Sequence, residues 1–378
     1  MTKAPSVMII GSALAGNKGA SAMLESALAT LEERLPGARF TLLSMYPTED
    51  ASQNSYSNLT ILDARPLQLG VVINSLALLY RVLPPLRPLL RRHAVIDALS
   101  EADILLDQGG ITFTDGREKF LLYNVASVLP AINMKVPVFK CAQAVGPFAG
   151  RINRTVSRVF LPRMHTVVTR GRITHGMAED LGLTNIDAGA DYAFSLELVG
   201  DESETFVDRL PVGFANRGDA TLVGISPSVV VQKKVEDRGG DYLSIMTGFI
   251  REQRARGNCV LVLPHSARGG SDKAHNNDLP LCRELKRRLI DDPGVFVLDS
   301  ELSSQQLRYL IGLCDLFLAS RFHAMVSSLA MGVPTLVVGW GHKYQEVLEM
   351  FGLEQWAMAH QELNSETLSK NFAALESE

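Results

Sequence analysis

Apolar and polar positions follow two rhythms along this chain, and the rhythms take turns. Short apolar runs bounded by glycine, proline or polar residues read as buried strands. Longer stretches with apolar residues three or four apart read as amphipathic helices. In the first half the pattern predicts strands at Val7–Gly11, Arg39–Ser44, Ile104–Asp107, Val136–Gln143 and Thr166–Thr169. Helices are predicted between them at Ala20–Leu35, Lys119–Ile132, Ile152–Leu161 and Arg172–Leu181. A polar stretch from Gly200 to Ala220, carrying Pro211, Gly213 and Gly218, breaks the pattern. The alternation then restarts, with strands at Leu222–Ser226, Cys259–Pro264, Val295–Asp299, Leu316–Ala319 and Thr335–Gly339. The helices predicted here are Tyr242–Arg256, Leu279–Ile290, Ser304–Leu313, Ala324–Met331 and Tyr344–Phe351.

Strands that alternate with helices imply parallel sheets joined by crossover helices. The expected fold class is α/β, with two Rossmann-like domains in series. A chain of 378 residues also exceeds what one core usually serves. We place the domains at 1–205 and 206–352, with the tail 353–378 expected to pack back on the first. Ligands of such sheets bind outside the carboxyl ends of the strands, so the cleft between the domains is the default site.

Composition changes this picture little. The chain is 46% hydrophobic and 21% charged, with a net charge of −4, so no basic field points to nucleic acid. Cys141, Cys259, Cys282 and Cys314 are scattered, form no CxxC pair, and read as buried free thiols in a reducing compartment. The N-terminal apolar run, Val7 to Ile10, is too short for a signal peptide. The segment Leu67–Leu90 is apolar but broken by Asn74, Ser75, Arg81 and Pro84-Pro85, too much to span a bilayer. With Arg87, Arg91, Arg92 and His93 beside it, it reads either as a buried helix with a solvated basic face or as an interfacial helix.

Six motifs follow predicted strands. Gly11–Leu24, GSALAGNKGASAML, is a glycine-rich turn into a helix, with Asn17 and Gly19 near the helix start, where an anion or a hydroxyl-rich ligand would be favoured. Leu105–Phe120, LLDQGGITFTDGREKF, offers Gly109 and Gly110 for close backbone approach and Asp115 in a turn or a binding loop. Ala142–Phe148, AQAVGPF, carries Gln143 as its one polar side chain. In VVTRGR, Arg170 stands at a strand end, fitted to a carboxylate or phosphate or to an internal ion pair with Asp191. In LVLPHSARGG, His265 is a ligand contact or a structural histidine, followed by a polar loop with Arg268, Asp272 and Lys273. Leu316–Val347 delivers Arg321, His323, His342 and Lys343 to one rim, a gathering that is costly unless an anion offsets it. Neither histidine pair has a zinc-site spacing, so no metal is expected.

The SRFHA segment with GVPTLVVGWGHKYQEV resembles the C-terminal signature of the polysaccharide pyruvyl transferases. GNKGASAML, LLDQGGITFTDG, AQAVGPF, Thr169-Arg170, ADYAF and Pro264-His265 match the family's other landmarks in the same order. The chain departs from many members at Ala20 and Gly171, where acidic residues are common, which bears on the acceptor more than on the donor. The resemblance implies a GT-B-like fold, phosphoenolpyruvate as donor with no cofactor, and a pyruvate ketal on a sugar as product. It assigns Arg170, Arg321 and His323 to the donor site; the residue pattern adds Lys343, His342 and His265 beside them, and imidazole chemistry makes His323 the expected acid-base residue. The loops with Asn17, Gly19, Gly109, Gly110, Asp115 and Gln143 would then serve the acceptor, whose sugar is open and which a lipid could carry. The location expected is the cytoplasm, with the inner membrane face as a peripheral site. Two rivals remain open at this point: a nucleotide-sugar glycosyltransferase, with Glu346 and Glu349 as ribose ligands or solvated helix residues, and a non-catalytic glycan-binding relative.

Overall fold

The computed structural model describes residues 4–198, 210, 214, 217–267, 276–290 and 292–378. The chain divides into two compact units, one of residues 1–15 and 23–195, the other of 16–22 and 196–378. The expected boundary at 205/206 lies outside the described residues, as do Arg268, Asp272 and Lys273.

The first unit is a seven-stranded parallel sheet in the order β3-β2-β1-β4-β5-β6-β7. Its strands are β1 Ser6–Ile10, β2 Arg39–Ser44, β3 Leu59–Asp63, β4 Ile104–Asp107, β5 Val138–Gln143, β6 Thr166–Thr169 and β7 Ile186–Ala188. Successive residues of β1 serve opposite faces, as a strand requires. Val7 and Ile9 join one core with Leu24, Leu28, Phe40 and Leu42. Met8 and Ile10 join the other with Leu43, Val128, Ala131 and Val138. The second unit is a six-stranded parallel sheet in the order β10-β9-β8-β11-β12-β13. Its strands are β8 Leu222–Ser226, β9 Cys259–Val262, β10 Val295–Val297, β11 Leu316–Ala319, β12 Thr335–Gly339 and β13 Ala357–Ala359. In both sheets the strand order reverses at one point, between β1 and β4 and between β8 and β11. Each unit is therefore a doubly wound, Rossmann-like domain, a sheet type whose ligands generally bind at the reversal.

All four cysteines are buried free thiols. Burial, reinforced by the Asp107 charge, pushes Cys141 up to about 12, so it stays a protonated, unreactive thiol.

Two expectations are corrected. The tail helix Ser365–Glu376 packs into the second unit's core through Leu368, Phe372 and Leu375, with Phe372 edge-on to Phe249 at 4.9 Å. The expected packing on the first unit is replaced by packing within its own unit, where its apolar stripe matches the helix Tyr242–Ala255. The segment after Leu67 is not a buried helix either. One face enters the core through Leu69, Ile73, Ala77 and Leu90, with Leu76 and Tyr80 packed partly buried against it, because one neighbouring helix, Leu121–Met134, covers one face. Among the described residues no helix is long and apolar enough to cross a membrane.

Candidate functional site

In the first unit, β1 and β4 lie side by side at the reversal and run into Gly11 and Gly109. Gly11 has φ +86°, and a Cβ there would lie 2.5 Å from the Gly109 nitrogen, so this close approach of two backbones requires glycine. Asp107 is buried in an ion pair with Lys140, and its Oδ1 accepts from the Gly109 N–H at 3.0 Å. Gln143 is fully buried. Its Oε1 accepts from the Thr112 hydroxyl at 2.5 Å and its Nε2 donates to the Asp107 carbonyl at 2.6 Å. It braces the strand ends. Asp115 accepts from the Ala149 and Gly150 N–H groups at 2.6 and 2.9 Å and from Asn153 Nδ2 at 2.9 Å, which anchors the start of the helix Arg151–Phe160. Gly110 contributes its carbonyl, which accepts from Arg170 Nη2 at 3.4 Å. Arg170 follows β6, is 1% exposed, and donates from Nη1 to Asp191 at 2.7 Å. The internal ion pair weighed from the sequence therefore exists.

In the second unit, Arg321 follows β11 and is the N-cap of the helix Phe322–Ala330. The neighbouring strand β12 leads to Gly341, the N-cap of the helix His342–Met350. Neither N-cap supplies a side-chain hydrogen bond. Ser228, Asp241, Ser303 and Asn364 do so for four other helices of this unit. Two helix N-termini without a side-chain cap thus face the carboxyl edge of the sheet, where their dipoles favour negative charge.

Arg321 is held by a residue the sequence did not single out. Its Nε and Nη2 donate to the two oxygens of Asp278 at 2.8 and 2.5 Å, and its Nη1 donates to Asn276 Oδ1 at 3.0 Å. Asp278 is buried and also accepts from the Val229 and Ser266 N–H groups, both at 3.1 Å. The only signal in the sequence was an aspartate before Leu279-Pro280, which reads as a helix cap. Three of the five guanidinium N–H donors are thereby used, and two have no partner among the described residues. Lys343 Nζ lies 4.7, 4.8 and 5.3 Å from the ring centroids of Phe322, Trp340 and Tyr344. Asp278 is an anion that offsets Arg321, and Lys343 lies over aromatic faces.

His323 is half-buried in the first turn of its helix, edge-on to Phe322 at 5.0 Å. Gly19 lies directly against it. A Cβ on Gly19 would fall 1.9 Å from His323 Nδ1 and 2.7 Å from its Cβ. The Gly19 N–H donates to Asn17 Oδ1 at 3.1 Å, and Asn17 forms a bridge with Ser266. Lys18 between them is buried and paired with Glu301 at 2.8 Å. Residues far apart in the sequence, Asn17, Gly19, His265, Arg321, His323 and Lys343, therefore belong to one compact unit. His342 opens its helix half-buried, and its Nε2 is buried with no hydrogen-bond partner among the described residues. No group of three His, Cys, Asp or Glu residues gathers to hold a metal among the described residues.

His265 follows β9 and is 4% exposed. Burial first, then the charges of His323 and Arg321, pushes it down to about 3. It is therefore neutral at working pH, while an unfolded chain would protonate it near 6.5. Protons bound only by the unfolded state weaken the fold as pH falls. Stability from this group is complete above about pH 6.5 and declines toward pH 3, by about 1.4 kcal/mol at pH 5.5. Denaturant titration at pH 8 and 5.5 should show this loss, and His265→Gln should flatten it; an unchanged slope in the variant would reject the assignment.

A family model described as polysaccharide pyruvyl transferase matches residues 17–342. The chain belongs to that family. Among curated relatives of this pyruvyl transferase family member is the amylovoran biosynthesis protein AmsJ of Erwinia amylovora, 23% identical over 387 residues, covering 94% of this chain and 88% of AmsJ. Among solved structures, an inferred UDP-N-acetylglucosamine 2-epimerase from Listeria monocytogenes aligns with TM-score 0.63 at 15% identity, over 100% of this chain and 89% of its own. The Methanocaldococcus jannaschii UDP-GlcNAc 2-epimerase, solved with UDP-GlcNAc and UDP, aligns with TM-score 0.56 at 12% identity, over 99% and 93%. At these identities the likeness shows the fold alone, two Rossmann-like domains of the GT-B type.

Proposed function

We propose that this family member transfers pyruvate from phosphoenolpyruvate to two hydroxyls of a sugar, forming a ketal in the synthesis of a surface or extracellular polysaccharide. The observation that supports this most is the placement of Arg321 as the N-cap and His323 in the first turn of the helix Phe322–Ala330, at the sheet's reversal point. A rigid bidentate cation and an imidazole are held two residues apart in the chain, in the same unit as a second helix N-terminus and Lys343.

The donor carries a carboxylate and a phosphate. The two unused Arg321 donors, Lys343 and the helix N-termini would bind them, and His342 Nε2 is a further polar contact. Protonation of the donor's methylene carbon makes an oxocarbenium-like centre. One sugar hydroxyl adds to it, phosphate departs, and the second hydroxyl closes the ketal. One hydroxyl proton is balanced by the new methyl group and the other by the departing phosphate. His323 is the acid-base residue, since imidazole ordinarily titrates near working pH. Arg170 enters this scheme through the family resemblance. Its pairing with Asp191 sets its orientation, and donor binding by Arg170→Ala tests the assignment. Phosphoenolpyruvate as donor and four reduced thiols suit the cytoplasm.

The nucleotide-sugar reading has one observation of its own. Glu346, open from sequence between a ribose ligand and a solvated residue, is 1% exposed, whereas Glu349 pairs with Gln345 on the surface. Incubation with phosphoenolpyruvate and a panel of sugar acceptors decides between them. We expect phosphate release together with an acceptor heavier by pyruvate less one water. Stabilisation by a nucleotide-sugar, with no phosphoenolpyruvate consumed, would overturn the proposal in favour of glycosyl transfer.

A further inference from the structure

The segment from Leu67 to Arg92 contains no aspartate or glutamate and carries four arginines. It folds as consecutive helical pieces, Gln68–Ile73, Asn74–Val82, Pro84–Leu86 and Arg87–Leu90. Leu69, Ile73, Ala77 and Leu90 lie in the first unit's core and Leu76 and Tyr80 pack partly buried against it, while the other large apolar side chains face outward. Leu67, Val71, Leu78, Leu79, Val82 and Leu89 are 37–79% exposed. Every residue from Arg81 to Leu89 is exposed. Soluble proteins scatter exposed apolar residues singly, and a run of this density marks a contact surface.

The charges decide which contact. Arg91 is neutralised by Asp97 and Glu101, at 2.8 and 2.7 Å. Among the described residues, Arg81 and Arg87 donate only to uncharged groups, Asn133 Oδ1 at 3.2 Å and the Tyr80 carbonyl at 3.0 Å. Their positive charge, with that of exposed Arg92, is left standing beside the leucines. A second copy of the chain is a poor occupant, because a two-fold contact would set these arginines against each other. An acidic, apolar-cored sheet of lipid matches both features: leucines enter the acyl boundary while arginines remain among the head groups.

We propose that the face formed by Leu67–Arg92 docks on an anionic phospholipid bilayer. The surface stands by itself and does not depend on the donor or the reaction assigned above. Docking would hold the first unit at the membrane plane without a spanning helix.

The test is co-sedimentation of the full chain with phosphatidylglycerol-containing vesicles and with phosphatidylcholine vesicles. Binding is expected to the anionic vesicles and to weaken as salt rises. Arg81→Gln/Arg87→Gln/Arg92→Gln should weaken it by roughly fivefold per arginine, and Leu79→Glu/Leu86→Glu/Leu89→Glu should abolish it. Both variants change exposed side chains and should keep the wild-type melting temperature. If the leucine variant unfolds, the arginine variant and the salt series carry the test. Equal binding to both vesicle types, no binding to either, or concentration-dependent self-association lost in the leucine variant would each overturn the proposal.

Discussion

Replacing His323 with alanine is expected to cut turnover by roughly 10²–10⁴-fold, with the fold and the donor affinity largely kept. The side chain is half-buried in a first helical turn and fills no core position, so its loss removes chemistry more than packing. Gly19→Ala is the companion experiment. The added methyl would overlap His323 from Nδ1 back to its own Cβ, so a rotation of the ring tip cannot relieve it and the whole side chain must move. The same reaction should slow, though the imidazole is still present. Measured with saturating phosphoenolpyruvate and acceptor, near-native turnover in His323→Ala would remove it from the mechanism. Loss in His323→Ala with none in Gly19→Ala would mean that its present position is not the working one.

The contrast between these two residues shows what the sequence made legible. The strand pattern placed the buried central strands of both sheets to within a few residues, since runs such as Val7–Ile10 or Leu316–Ala319 are apolar on both faces. It missed β3, β7 and β13, which are edge strands with mostly half-exposed or exposed residues and so lack a buried run. Helix starts were read two residues late at Lys18, Phe322 and His342. In each case polar residues of the motif occupy the first turn, where a helix has unsatisfied N–H groups and tolerates polarity, and the pattern assigned them to a loop. His323 and His342 are therefore fixed by helix geometry. The partnerships that tune the site, Arg321 with Asp278, Lys18 with Glu301 and Gly19 with His323, join segments far apart in the chain. No local pattern encodes such pairs.

Arg321→Ala carries the second large effect, and the structure splits it into two parts. Asp278 is buried, and removing its bidentate partner leaves an uncompensated carboxylate. Breaking one side of such a pair costs about 3–5 kcal/mol, which lowers the melting temperature on the order of 10 °C. The same change removes the two guanidinium donors left for the ligand, each a charge-assisted contact, so phosphoenolpyruvate affinity should fall at least roughly 100-fold. The double variant Arg321→Ala/Asp278→Asn separates the parts. An amide at position 278 carries no charge to strand and its oxygen can still accept from the Val229 or Ser266 N–H, so most of the melting temperature should return. Donor affinity should not, because nothing in the double variant replaces the cation. Calorimetry that found phosphoenolpyruvate affinity restored together with stability would show that Arg321 serves only to hold Asp278, and the donor site would have to be sought elsewhere.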